Sequence, residues 1–146
     1  MEGLVLELNG FLADLNVFYR KLQNYHWNVK GKDFFVLHVK LEEYYDEINK
    51  QIDEVAEHIL TLNYEPMGTM KDYLEMTTLA EAKNEKICCE EVVTNIIADL
   101  TKLLKKVTDL KKKAEALEDY ATSSVMDEYI TNYSKKLWML NQMNMK

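Results

Sequence analysis

Residues 26–62 read HWNVKGKDFFVLHVKLEEYYDEINKQIDEVAEHILTL, and this stretch decides both the fold and the chemistry. Apolar side chains recur at Leu41, Tyr45, Ile48, Ile52, Val55, Ile59 and Leu62, the alternating three- and four-residue steps of one buried helical face. The same stretch holds His26, His38, Glu42, Asp53 and Glu57, five metal-capable side chains in a chain with three histidines. His38/Glu42 and Asp53/Glu57 are each four apart, so each pair lies on one face of the helix, a turn apart. Imidazole with carboxylates suits iron, with zinc or manganese as competitors.

Outward from this helix the same rhythm continues. Segment 4–29 repeats Leu4, Leu8, Phe11, Leu15, Phe18 and Leu22, a bundle seam. Lys30-Gly31-Lys32-Asp33 breaks it, with Asp33 or a neighbour as the cap of the helix over 34–62. Residues 63–68, with the single proline Pro66, end that helix. Segment 70–76 reads as a brief amphipathic helix within a connection. Thr78-Leu79-Ala80-Glu81 fits a capping box that opens a third helix over 79–113, with Val93, Ile96, Ile97, Leu100, Leu103, Leu104, Val107 and Leu110 on its face. A fourth helix over 119–144 carries Val125, Tyr129, Tyr133, Leu137 and Leu140, with Trp138 near its end. Two long hairpins joined by a crossover of about twenty residues describe an all-α, ferritin-like four-helix bundle, its long crossover carrying a short extra helix. At 146 residues the chain reads as a single domain over 1–146.

Composition agrees. Four glycines and one proline leave little turn material, and nine tyrosines call for buried or interface positions with a hydroxyl partner. A net charge of −7 attracts cations and does not favour nucleic acid. No leader peptide and no membrane span are expected. Cys88 and Cys89 are adjacent, too strained for an ordinary disulfide, so reduced, buried or half-buried cysteines in the cytoplasm are the expectation.

The helical rise then constrains the metal chemistry. Glu42 and Asp53 are eleven residues apart, about 16 Å along a straight helix, yet their directions differ by only about 20°. Metal–ligand bonds are about 2 Å, so the two pairs cannot share an ion within one chain. They are half-sites. A second copy, antiparallel across a twofold axis, brings His38/Glu42 of one chain against Asp53/Glu57 of the other and makes two equivalent sites. His26 joins the first half-site because the chain reverses around Gly31. The alternative, a Glu-x-x-His site inside one bundle, is disfavoured: Gln23, Phe35 and Val55 stand where its glutamates would be.

The segments His26-Trp-Asn-Val-Lys-Gly31, Phe34-Phe-Val-Leu-His38 and Asp53-Glu-Val-Ala-Glu57 closely resemble the Dps miniferritins, the DNA-protection-during-starvation proteins, as do the segment from Pro66 to Leu74 and the late Trp138-Met139. The resemblance spans nearly the whole chain. It implies a dodecameric shell with a ferroxidase centre at each twofold interface, ligated by His26, His38, Glu42, Asp53 and Glu57. Each centre would take two iron ions, with zinc able to occupy it as isolated, and would use hydrogen peroxide more readily than dioxygen. Fe(III) would mineralise in the cavity, and the cell would be protected from oxidative damage. Glu42 departs from the aspartate common in the family. Trp27 matches a tryptophan beside the centre, where it would serve as electron donor or as packing. The family's acidic threefold pores would place Asp119, Asp127 and Glu128 at the entry, with Ser124 where an aspartate is common. The alternative reading, a DNA-compacting protein with an incidental metal site, is disfavoured: the first basic residue is Arg20, the C-terminus adds only Lys146, and no DNA binding is expected near neutral pH.

The remaining residues read more plainly. His58 is expected to be solvated. Lys105, Lys106, Lys111, Lys112 and Lys113 complement the third helix's dipole. Tyr44, Tyr45 and Met139 read as core or interface residues rather than redox groups.

Overall fold

The computed structural model describes residues 1–144, so Lys146, counted above among the terminal charges, lies outside them. The helices are α1 (Glu2–Asn28), α2 (Phe34–Thr61), a short α3 (Met70–Met76), α4 (Cys89–Ala116) and α5 (Tyr120–Met143). α1 packs on α2 and α4 on α5 as two hairpins, and α3 rides against α1 in the connection between them. On α1 the seam from Leu4 to Leu22 is buried throughout. On α2 Leu41, Ile48, Val55 and Ile59 are buried, with Tyr45, Ile52 and Leu62 at the half-buried margin. No described helix is long and apolar enough to cross a membrane.

A left-handed residue follows each of α2 and α4. Asn63 (φ 65°) and Glu118 (φ 58°) lie just past α2 and α4. At Glu118, its own N–H reaches the Glu115 carbonyl and the Asp119 N–H reaches Ala114, the paired bonds of a Schellman cap. Asp119 then caps α5 itself, accepting from the Thr122 N–H at 3.1 Å. One short turn therefore stops α4 and starts α5.

Aromatic and neutral polar groups fill the middle of the bundle. Tyr133 is fully buried and donates to Gln51 Oε1 at 2.5 Å. Tyr129 stacks on Tyr133 with centroids 6.2 Å apart, meets Phe11 at 5.7 Å, and donates to Glu54 at 2.7 Å. Burial holds both phenols far above their ordinary pKa, so both remain donors. A buried ion pair, Lys21–Asp99 at 2.6 Å, joins α1 to α4. Burial raises the Asp99 pKa and Lys21 opposes it.

The crossover departs from the expectation. The third long helix begins at Cys89, not at 79, and the connection runs over 62–88. The cause is Asp14, a buried carboxylate on α1. Its Oδ1 accepts from the Thr77 hydroxyl and the Thr78 N–H, each at 2.7 Å, and its Oδ2 accepts from the Thr78 hydroxyl at 3.0 Å. With its N–H committed to Asp14, Thr78 has no backbone donor left for the Glu81 carboxylate, and the reciprocal box does not form. Beyond it the chain continues without helix until a two-residue parallel bridge forms between β1 (Val29–Lys30) and β2 (Ile87–Cys88), in register Val29↔Ile87 and Lys30↔Cys88. The bridge ties the α1–α2 turn to the start of α4. Gly31 (φ 129°) makes that turn, and a Cβ there would stand 3.1 Å from Cys89 Sγ. Cys89 is buried and its thiol donates to the Lys30 carbonyl, while Cys88 is half-buried. Asp33 does occupy the N-cap of α2, but its side chain makes no capping bond, and the Phe34 N–H goes to Gly31 instead.

Asp14→Ala should lower unfolding stability by about 1.5–3 kcal/mol, the usual worth of buried bonds to a charged acceptor, with faster amide exchange over 77–86; Asp14→Asn should lose less. Calorimetry together with hydrogen exchange measures both.

Candidate metal centre

His26 lies in the last turn of α1 and His38 in the second turn of α2, on either side of the Gly31 reversal. The two rings stack, with centroids 3.8 Å apart and planes 10° apart. Each ring also bonds the other residue's backbone. His26 Nδ1 lies 2.6 Å from the His38 carbonyl, and His38 Nδ1 lies 2.8 Å from the His26 carbonyl. A carbonyl only accepts, so both Nδ1 atoms carry hydrogen and donate. In the neutral rings both Nε2 atoms therefore keep their lone pairs, the form in which imidazole binds a metal.

Glu42 lies one turn beyond His38 and is exposed. The Tyr45 hydroxyl donates to its Oε1 at 3.3 Å. Burial, with the neighbouring Glu42 carboxylate second, raises the Tyr45 pKa. Tyr45 in turn meets the His26 ring edge-on at 5.5 Å and Tyr19 edge-on at 5.9 Å. Asp53 and Glu57 lie further along α2, both exposed, and neither makes a side-chain hydrogen bond or ion pair among the described residues. Asp53 borders an open hollow with Asn49, Lys50, Ile52 and Ala56. Within one protomer, no three metal-capable side chains converge among the described residues. His26 and His38 are thus together, Glu42 is one helical turn away, and the Asp53/Glu57 pair stands apart.

Large apolar side chains lie exposed around the histidine end of α2. Phe35 is 82 % exposed, Val36 63 % and Val39 55 %, with Trp27 nearby in sequence at 57 %. Trp27 lines a cavity with Arg20, Asn24 and Asn84.

Other expected residues have defined partners. Asp119 is the α5 cap. Asp127 pairs with Lys111 at 2.9 Å, Lys111 also pairs with Glu115, and Glu128 is exposed. Lys105 pairs with Asp109 and Lys113 with Glu7, so three of the five lysines near the end of α4 have carboxylate partners. Tyr44 is buried and Met139 exposed. His58 corrects the expectation of a solvated side chain. It is half-buried, and its Nε2 lies 2.7 Å from Thr122 Oγ1. The Thr122 hydroxyl hydrogen goes to Asp119 Oδ2 at 2.5 Å, so Thr122 accepts from His58. Burial lowers the His58 pKa, with Asp119 opposing. Nothing in the sequence links residues 58 and 122. The Tyr45–Glu42 contact, by contrast, follows from an i, i+3 spacing.

Comparison with known proteins agrees with this architecture. The ferritin-like domain family matches residues 5–145. DNA protection during starvation protein 2 of Bacillus anthracis is 39% identical over 141 residues, covering 96% of each chain. The crystal structure of Dps from Staphylococcus aureus superposes with a TM-score of 0.96 at 34% identity, over 100% of this chain and 97% of that one. A Dps protein from Vibrio cholerae O1, described as a member of a broad superfamily of ferritin-like diiron-carboxylate proteins, superposes with a TM-score of 0.94 at 37% identity, over 97% of this chain and 89% of that one.

Two measurements check the site. Nitrogen-15 NMR at neutral pH should find both His26 and His38 as Nδ1–H tautomers. For His58 the lowered folded pKa means that the unfolded chain binds the proton first. Stability should therefore fall as pH drops between roughly 7 and 5, and His58→Gln should remove part of that loss in thermal melts.

Proposed function

The chain belongs to the ferritin-like Dps family, and on that footing we propose that it is a ferroxidase and iron-storage cage whose oxidation centres form between two subunits. The observation that carries the reading is the reciprocal His26–His38 lock. It leaves two imidazole Nε2 atoms free on one half-site, while the unpaired carboxylates of Asp53 and Glu57 begin about 22 Å beyond His38 along α2, too far to join them. A twofold copy supplies what each half lacks. His26, His38 and Glu42 of one protomer then face the partner subunit's Asp53 and the partner subunit's Glu57. The exposed Phe35, Val36 and Val39 gain a cover in the same step.

Fe(II) is the substrate. The imidazoles hold the first ion, and the carboxylates hold both ions and offset their charge. Two Fe(II) supply the two electrons that one hydrogen peroxide accepts, breaking its O–O bond to give two Fe(III) and two hydroxides, so no hydroxyl radical is released. Dioxygen is the slower oxidant in this reading, and zinc competes for the same ligands. Fe(III) passes into the cavity of a dodecamer and mineralises. Asp127 and Glu128 are placed toward entry pores in this assembly, and the cytoplasm is its setting.

The competing reading is DNA compaction, which the Bacillus anthracis protein's name invites. The net charge of −7 and the carboxylate-paired lysines on α4 count against it. A gel shift at low salt should find no retardation near neutral pH; retardation by this protein would favour compaction.

The intersubunit site has a sharp test. His38→Ala and Asp53→Ala should each abolish rapid Fe(II) oxidation with the helices intact. Reassembling a mixture of the two variants should restore about one quarter of the wild-type rate: half of the dimers are mixed, and each mixed dimer has one complete site of two. Size-exclusion chromatography with iron detection, after Fe(II) and peroxide, should carry iron with a particle of about twelve chains.

A further inference from the structure

A centre that fills one ion at a time must pass through a state with a single Fe(II). Peroxide accepts two electrons, and one Fe(II) gives one. The structure places an oxidisable side chain where the second electron is needed. Tyr45 meets the His26 ring edge-on at 5.5 Å, and its hydroxyl donates to Glu42 at 3.3 Å, so it touches two of the proposed ligands at once. Oxidation of a phenol releases its proton, and a carboxylate already accepting from the hydroxyl gives that proton a way out. Tyr19 lies edge-on to Tyr45 at 5.9 Å and accepts from Gln23 at 3.1 Å, fixing the ring from its far side. Trp27, one residue from His26, has no aromatic contact with the histidine pair among the described residues and lies more than half exposed.

We propose that Tyr45 is the second electron donor of a half-filled centre. This rests on the iron-oxidation reading above. Fe(II) and the Tyr45 phenol each lose one electron, and the O–O bond of hydrogen peroxide breaks. The products are Fe(III), the Tyr45 phenoxyl radical, one hydroxide and one water, the phenolic proton ending in the water. A later Fe(II), with one proton, returns the radical to the phenol and becomes Fe(III). Tyr45 thereby spares the surroundings a hydroxyl radical when iron is scarce.

The test uses assembled protein loaded anaerobically with one Fe(II) per site, mixed with hydrogen peroxide and freeze-quenched for electron paramagnetic resonance. A tyrosyl radical should form, and its signal should narrow when all tyrosines are ring-deuterated. Fluorotyrosine placed at position 45 should add a fluorine splitting without altering the fold. Tyr45→Phe should lose the signal and Trp27→Phe should keep it. A radical without the fluorine splitting, one that survives Tyr45→Phe, or none at all in protein that oxidises its iron, overturns the role of Tyr45 and leaves the iron-oxidation reading standing. Wild-type protein that leaves its Fe(II) unoxidised overturns both.

Discussion

Two hydrogen bonds between His26 and His38 hold the end of α1 against the start of α2. Each bond runs from a ring nitrogen to a backbone carbonyl, so the lock sets the hairpin register and the tautomers together. Metal-binding imidazoles commonly need a partner on their second nitrogen to orient them. Here each histidine residue is that partner for the other, and no additional side chain is required. The turn between them is pinned from outside. Gly31 permits its backbone, β1 pairs with β2, and the Cys89 thiol reaches the Lys30 carbonyl. The crossover thus steadies the candidate centre without adding a candidate ligand.

The bundle interior explains why the proposed metal chemistry falls to the surface of α2. A ferritin-like bundle can hold metal between its four helices when inward carboxylates and histidines line the middle. In this chain Tyr133, Gln51, Tyr129 and Phe11 occupy that space, and the phenols are satisfied by Gln51 and Glu54. Such a core packs well but, among the described residues, brings no three metal-capable side chains together. Ligands on an outward face of one helix serve a metal only when a second surface closes over them. In the proposed centre, assembly and activity would stand on the same residues, and the exposed Phe35, Val36 and Val39 beside His38 would belong to the same requirement.

Much of this was legible in the chain. The apolar stripes of α1, α2 and α5 agree with the helices to within a residue or two, because a 3.6-residue period of large apolar groups has few other readings. The misplaced start of α4 shows the limit. Thr78 and Glu81 have the right spacing for a cap, but Asp14, more than sixty residues earlier, takes the threonine's donors first. His58 fails for the same reason: a lone polar residue at a helix end reads as solvated until Thr122 is placed against it. Local pattern carries no information about which distant group competes for a hydrogen bond.

By itself the sequence determined the all-α class, the two hairpins, the family, and the five candidate ligands with their division into two half-sites. These follow from periodicity and from a helical rise that keeps Glu42 and Asp53 apart. Only the tertiary structure decided that His26 and His38 lock each other's tautomers, that Tyr45 lies against His26, that Asp14 straps the crossover, and that Lys111 pairs with Asp127. The physical reason is range. Periodicity is a property of neighbours along the chain, whereas most of these contacts join groups brought together when separate helices pack.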